Sequence, residues 1–518
     1  MVSRLSEDEL QVSLAQLVAS ELVLQSGTPP DAVYTFKHAL VQDAAYSSLL
    51  RTVRQELHGR IAEALEALSP ELIDSQPEFF ARHYGEAGLV EKSVFYWSKA
   101  GHRAVARAAI VEAAAQFQKG LDQLALLPDN PERQRQELEF YSSLSAALRA
   151  AKGQAAPETG DAYVRARELW EQLGSPPEFV QIPYGQSRYH AHRCEFDLAQ
   201  RLDEDLLRLS RDRNDAAGLI LGHLSSGINQ MFVGKFAASR SHLEQALARY
   251  DPIPQRSLVQ QTGVHPHIFS QAYLGNVLFC LGFPDQALAQ SSANIFEARR
   301  LAHPPSLAGS LAIGARLLWL VRDDAVLDQW VSELLALATE QGFPHWRAQG
   351  AIYRGWIKVK NGDFTEGMSL LQSGLTAYRS SGAELLVPHY LALLAAACEI
   401  TGQVEESLTL LDDALHVIDR TGERWFAVEL NRHKGQLLLR QGDTGAADKL
   451  YLKALSISEE QGAKLWELRA AISLARLRRD QNRYVEARNL LAPVYGWFTE
   501  GFHRTDLKEA KALLGELA

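Results

Sequence analysis

The sequence predicts an all-α fold, a superhelix of stacked helical hairpins of about 40 residues each, behind a small segment of different character at the N-terminus. Three observations predict it. Gly342, Gly382, Gly422 and Gly462 recur every 40 residues, each closing a helix-type run such as LLALATEQG or LSISEEQG. Half a period away stand Gly282, Gly362, Gly402 and Gly442, with Arg322 and Asn482 on the two missing beats. A third column, Gly275, Ala315, Gly355, Ala395, Gly435 and Ala475, is uniformly small. Two stops per period bracket two helices, and the small column marks where they touch.

Residues 1–68 stand outside this period. SEDELQVSLAQLVAS places Leu10, Leu14, Leu17 and Val18 on one helical stripe, with Ser6 as N-cap and Glu9 three residues later. ELVLQSG and TPPDAVYTF are two β-prone runs around a Gly/Pro turn, which reads as a small hairpin. KHALVQDAAYSSLL and RTVRQELHGRIAEALEAL follow as amphipathic helices. Helix, hairpin, helix is the order of the back half of a winged-helix domain, so 1–68 is expected to be a partial winged-helix segment with linker helices.

From residue 76 everything reads as helix, irregularly spaced over 76–250 and regularly over 263–518. QPEFFARHYGEAG and LVEKSVFYWSKAGHRAVARA form one hairpin. A second pair is expected at roughly 103–127, ended by LLPDNP, and a longer pair at 132–173 turning through AKGQAAPETG. The spacing from Gly234 to Gly282 exceeds the period, and the excess matches an expected loop, DPIPQRSLVQQTG. The last helix, DLKEAKALLGEL, is more polar, as a terminal cap should be. About ten hairpins wound as a right-handed superhelix are expected.

Composition narrows the function classes. The net charge is −10 at pH 7, with 46% hydrophobic and 22% charged residues. An acidic balance disfavours broad binding to nucleic acid or anionic membrane, and the 6–19 helix carries Glu7, Asp8 and Glu9 against a nearby Arg4, the wrong sign for phosphate. Cys194, Cys280 and Cys398 are scattered, which fits a reducing compartment. The N-terminus lacks the layout of a signal peptide, and the greasiest stretches, 385–400 and 306–321 with Arg316 inside, are too short or interrupted to span a bilayer. A cytoplasmic protein without nucleic-acid or membrane partners is expected.

Each unit carries a Leu-Gly pair, a turn glycine and a small residue on the second helix. The first regular unit shows them as Leu274-Gly275, Gly282 and Ala287 in YLGNVLFCLGFPDQAL. Later units hold Leu327, Gly367, Ser407, Ala447 and Ala487 at that last position, and Leu335, Leu375, Leu415 and Leu455 form a leucine column. The array thus resembles tetratricopeptide repeats lengthened from 34 to about 40 residues. A more specific resemblance covers almost the whole chain. YTFKHALVQDAAYSSLLRTVRQELHGRIAEALE, QPEFFARHYGEAGLVEKSVFYWSKAGHRA and LLAPVYGWFTEGF are similar to the C-terminal region of bacterial multidomain signalling ATPases. In that family a P-loop domain and a winged-helix segment precede a tetratricopeptide array, and many members also carry an adenylate/guanylate cyclase domain. The resemblance implies a part in regulating such a nucleotide-dependent enzyme, in cis or in trans.

The catalytic parts of that family are not expected here. A phosphate-cradling loop needs GxxxxGK[ST]. The only Gly-Lys pair, Gly234-Lys235, is followed by Phe236 and has Asn229 where the first glycine belongs. No α+β region is available for a cyclase. The chain is therefore expected to be a non-enzymatic regulatory half, from a truncated or separately encoded product, that a family-based description would nonetheless label a cyclase or ATPase. A stand-alone scaffold is the alternative. No cofactor is expected. His190 and His192 sit about 200° apart on a helix and cannot share a metal. His265 and His267 flank Pro266 without a third ligand nearby, and His38 is expected to pack or hydrogen-bond at the junction with the repeats.

Binding is expected on the concave face, made by the first helix of each unit. Counting from the small column selects Arg316, Trp319, Gln349, Trp356, Lys360, His389, Arg432, Gln436, Arg440, Arg469, Arg476 and Arg479, together with Glu399 and Glu429. Seven of these are basic in an acidic chain, and tryptophan with arginine is the composition of binding hot spots. Two readings stand: a groove that grips an anionic protein or peptide segment through bidentate arginine contacts, or a solvated face laced with internal salt bridges.

Overall fold

A computed structural model describes residues 3, 5–29, 31–107, 109–249 and 255–518. The chain divides into two compact units, 1–147 and 148–518. In the first, α1 (Glu7–Ala19) starts on the expected capping box: the Ser6 side chain accepts from the Glu9 N–H, and Glu9 Oε2 accepts from the Ser6 N–H at 2.9 Å. Arg4 lies outside the described residues. β1 (Val23–Ser26) pairs antiparallel with β2 (Val33–Phe36), Val23 facing Phe36. Then come α2 (Ala39–Ser48), α3 (Arg51–Leu68), the short α4 (Glu71–Ser75), and a hairpin of α5 (Pro77–Glu86) and α6 (Val90–Ala106). α7 (Ile110–Leu124) packs on α6, and α8 (Pro131–Lys152) contains the division between the units.

The core of this unit includes the cluster Ala62, Phe80, Ala81, Tyr84, Tyr96, Trp97 and Ala100 and, further along, the buried Phe117, Leu121, Leu124, Leu138, Phe140 and Leu144. It does not reach the front of the segment. α1 and α2 bury no residue at all, and of the hairpin strands only Val23 is buried. The helical pair expected at 103–127 is a single helix. GHRAVARA, without a breaker, extends α6 to Ala106, leaving room for α7 alone.

The second unit begins with α9 (Pro157–Gln172), α10 (Gln181–His192), α11 (Phe196–Asp212), α12 (Ala216–Phe232) and α13 (Phe236–Ala248). α14 (Gln255–Thr262) occupies most of the segment expected to be loop, of which residues 251–254 lie outside the described residues. The regular hairpins follow: α15 (Pro266–Cys280) with α16 (Pro284–Arg300), α17 (Pro304–Val321) with α18 (Asp324–Glu340), and α19 (Pro344–Lys360) with α20 (Phe364–Arg379). Then come α21 (Val387–Ile400) with α22 (Val404–Thr421), α23 (Ala427–Arg440) with α24 (Thr444–Gln461), α25 (Lys464–Asp480) with α26 (Tyr484–Gly496), and the closing α27 (Thr505–Glu516).

Both glycine series are helix stops in left-handed backbone, and so are the substitutes: Gly442 has φ +90°, Arg322 +62° and Asn482 +63°. The small column is the crossing point of each hairpin. A Cβ on Gly355 would sit 2.7 Å from the Gly367 carbonyl oxygen, and Ser407 Oγ donates to the Ala395 carbonyl at 2.8 Å. Ala315, Ala395 and Ala475 are fully buried. These contacts join residues a dozen apart, so each hairpin is specified locally.

Candidate functional site

The inner face of the array closes on itself. The His192 carbonyl, at the end of α10, accepts from the Glu384 and Leu385 N–H groups at 2.9 and 3.1 Å. One unit later the Phe232 carbonyl, at the end of α12, accepts from Arg424 and Trp425 at 2.8 and 3.0 Å. Further along, Arg469 Nη2 donates to the Leu320 carbonyl at 2.5 Å, and Glu500 accepts from the Asp285 and Gln286 N–H groups. The superhelix is wound tightly enough for its inner helices to meet across the axis. Phe232, Tyr273, Phe279, Trp425, Phe426 and Trp466 fill the space that an open solenoid leaves for a partner.

This winding corrects part of the expected groove. Arg316, Gln349, His389 and Arg469 are buried, so a partner reaches none of them without displacing packed aromatic rings. Arg316 stacks over Phe232, Tyr273 and Trp425 and donates to Asn276 Oδ1 at 2.9 Å. His389 receives the edge of Trp319 and lies 3.1 Å from the Tyr353 hydroxyl; burial drives its pKa well down, and the nearby Arg316 adds to this. Gln349 accepts from the Tyr390 hydroxyl at 2.9 Å. Arg469 joins Asp506 at 2.8 Å and Glu429 at 3.3 Å. Burial pushes the Glu429 carboxyl upward, yet Arg432 and Arg469 hold it at about 2.

The remaining predicted residues are partly or wholly exposed, and their charges are internally matched. Arg432 pairs with Glu429 at 2.7 Å, Arg476 with Glu509 at 3.2 Å and Lys360 with Asp324 at 3.4 Å. Arg440 pairs with Glu399 and Arg479 with Glu516. Trp319 and Trp356 pack edge to face, and Gln436 is half-buried. Each of these arginines pairs mainly with a carboxylate of its own or an adjacent hairpin, as in the salt-bridged reading of this face.

The other singled-out residues take structural places. Gly234 is a left-handed turn between α12 and α13, with Lys235 at the N-cap of α13. His190 bonds Glu195 at 2.6 Å and His192 bonds the Arg188 carbonyl at 2.8 Å, on different sides of α10. The His265 and His267 rings lie 6.3 Å apart. His38 departs from expectation: it is exposed at the N-cap of α2 and makes no side-chain cap bond. α17 is long and apolar enough to cross a membrane, but it is a buried inner helix that carries Arg316.

A feature that the pattern along the chain does not announce lies in the first unit. Residues of α2, α3, α5, α6 and the end of α7 line a cleft of about 790 Å³. Its charged lining is Arg51, Arg54, Arg82 and Glu86, its rings are Tyr46, His58, Phe79, His83 and Trp97, and Gln123 also lines it. The Tyr46 hydroxyl lies 2.9 Å from His58 Nε2, and His58 Nδ1 lies 2.8 Å from His83 Nδ1. Two ring nitrogens at that distance need one proton between them, and burial, then His58, lowers the pKa of His83. Arg54 stands 5.2 Å over the Tyr46 ring. The only local signal was the spacing of Arg51, Arg54 and His58 along one face of α3. Nothing in the sequence near them points to His83, which another helix brings in.

No family model matches the chain. An uncharacterised protein of Rhizobium meliloti (strain 1021) is 24% identical over 453 residues, covering 87% of this chain and 44% of that protein. The chain thus spans less than half the length of this curated relative. Among solved structures, the Rap protein complexed with competence and sporulation factor has a TM-score of 0.49 at 12% identity, over 72% of this chain and 98% of that one. The apo form of RapI has a TM-score of 0.41 at 13% identity, over 55% of this chain and 98% of that one. Yeast Tom70 has a TM-score of 0.33 at 12% identity, over 88% and 96%. What the chain's own geometry establishes is an all-α helical-repeat superhelix with a small two-stranded hairpin near its N-terminus.

Proposed function

We propose that this chain is a non-enzymatic interaction and sensing module that regulates a nucleotide-dependent signalling ATPase or cyclase. The observation that supports this best is the contrast between its two ends. The array has a continuous buried core and scattered exposed apolar side chains such as Phe296 and Val485. The short helix–hairpin–helix segment instead holds Val12, Leu24, Val33, Leu40 and Leu50 together at 56–82% exposure, with only Val23 buried in its hairpin. A contiguous stretch of sequence that leaves so many large apolar side chains in water is a surface for another domain. The resemblance of this segment to a winged helix names that domain as a nucleotide-binding one. On the array, an anionic segment of a partner would compete with Asp324, Glu399, Glu509 and Glu516 for Lys360, Arg440, Arg476 and Arg479.

The test is reconstitution. The full chain is mixed with, or fused behind, a P-loop domain of the signalling-ATPase family, and steady-state ATP hydrolysis is followed with and without it. The chain alone is expected to hydrolyse and cyclise no ATP, and to change the rate of the P-loop domain several-fold. Leu24→Asp with Leu40→Asp should abolish that change while leaving the helical circular dichroism intact. An unchanged ATPase rate in both formats would refute the regulatory reading.

A further inference from the structure

We propose that the cleft in the first unit is a binding site for a small phosphate ester carrying a flat ring. Three independent observations lead there. The first is charge. Along the array many arginines are tied up in ion pairs, as are Arg299, Arg354, Arg432, Arg476 and Arg479. Among the described residues, Arg51, Arg54 and Arg82 form no ion pair, and all three line one cleft against a single carboxylate, Glu86. That leaves a net charge of about +2, which matches a phosphate monoester at neutral pH, and a guanidinium offers phosphate two parallel donors.

The second observation is the rings. Phe79 is 47% exposed and Tyr46 is 40% exposed, each at the cleft with one face or edge already set, Phe79 by His83 at 5.1 Å and Tyr46 by Arg54. Water-exposed aromatic surface beside unpaired cations suits a planar, apolar group joined to an anion. Trp97 is less suited to stacking, because Lys119 covers its ring at 4.9 Å. The third observation is a polar atom left over. Gln123 Oε1 is buried and accepts no hydrogen bond among the described residues. A buried acceptor without a donor is unfavourable, and a ligand N–H or O–H that reaches it by a small turn of the Gln123 side chain would satisfy it. The volume of about 790 Å³ is that of a small-molecule site and far exceeds a bare ion.

The site stands apart from the regulatory proposal, since ligand binding here is measured on the chain alone and the reconstitution is measured by ATPase rate. The probes are phenyl phosphate, adenosine 5′-monophosphate, adenosine and inorganic phosphate, titrated calorimetrically into the full chain. Both esters are expected to bind one to one and intact, with a Kd below about 1 mM. Adenosine and inorganic phosphate, each lacking half of the recognised chemistry, should bind at least about tenfold more weakly. Arg51→Gln with Arg82→Gln removes two exposed, unpaired charges, so the fold should persist, and it should weaken both esters about tenfold or more. Gln123→Leu should weaken the nucleotide more than phenyl phosphate, which has no donor to lose. No binding of either ester at millimolar concentration would overturn the proposal, as would undiminished binding by the arginine double variant.

Discussion

The Phe232 carbonyl oxygen holds the backbone N–H of Trp425 at 3.0 Å, although the two residues stand five hairpins apart. Their rings also meet edge to face, with centroids 6.3 Å apart. The relationship repeats with the period of the sequence, since His192 makes the same contact with Leu385. Each hairpin of the second half thus leans on one of the first half, and the array gains non-local contacts that a simple nearest-neighbour solenoid lacks. Its unfolding should accordingly be more cooperative than that of an open repeat protein.

Glu423 anchors this closure. Its carboxylate accepts from the Leu386 N–H at 3.0 Å and from Trp425 Nε1 at 2.9 Å, with Cys194 Sγ donating at 3.7 Å. Burial pushes its pKa up to about 7 from an ordinary 4.5, and burial does the same to Asp203, also to about 7. A carboxyl with a raised folded pKa keeps a proton that the unfolded chain releases. Its contribution is therefore complete below about pH 4.5 and is lost as pH rises through 7. Urea midpoints should fall between pH 5 and 8 on this account. Glu423→Gln should flatten that fall, being neutral at both ends, and an unchanged slope would show that Glu423 does not titrate there.

The glycines separate into two kinds of cost. Gly402 has φ +82° with open space around its missing Cβ, so Gly402→Ala should cost about 1–2 kcal/mol from backbone strain alone. Gly355 lies inside a helix, and its Cβ would fall 2.7 Å from both the Gly367 oxygen and the Leu371 nitrogen. Those are backbone atoms that cannot step aside, so Gly355→Ala should cost more, about 3 kcal/mol. Asn482→Gly, at φ +63°, should be neutral or slightly stabilising. Chemical denaturation of the three variants gives the order.

Arg469 carries the buried charge cluster of α23, α25 and α27. Arg469→Ala leaves Asp506 and Glu429 without their shared cation and should cost about 3–5 kcal/mol. Arg469→Met with Asp506→Leu removes the opposite charge as well and should recover a large part of the loss. Arg476, half exposed and paired only with Glu509, should tolerate Ala within about 1 kcal/mol. Equal losses for Arg469→Ala and Arg476→Ala would contradict the distinction between the two positions.

The sequence by itself determined the local architecture. The two stop series, including Arg322 and Asn482, are left-handed turns, the small column is where the paired helices cross, and Ser6 with Glu9 caps α1. All of these depend on residues within one period, where helical spacing and backbone sterics act directly. Only the tertiary structure decided which side of the array is free. The pitch of a superhelix sums small rotations over many hairpins, and no local pattern records where that sum brings α10 against the start of α21, or Arg316 against Trp425. Of the positions counted as inward, Arg316, Gln349, His389 and Arg469 therefore lie in the core. For the same reason the cleft could not be read in advance, because Arg54 and His58 on α3 acquire their meaning from Arg82 and His83 on a different helix.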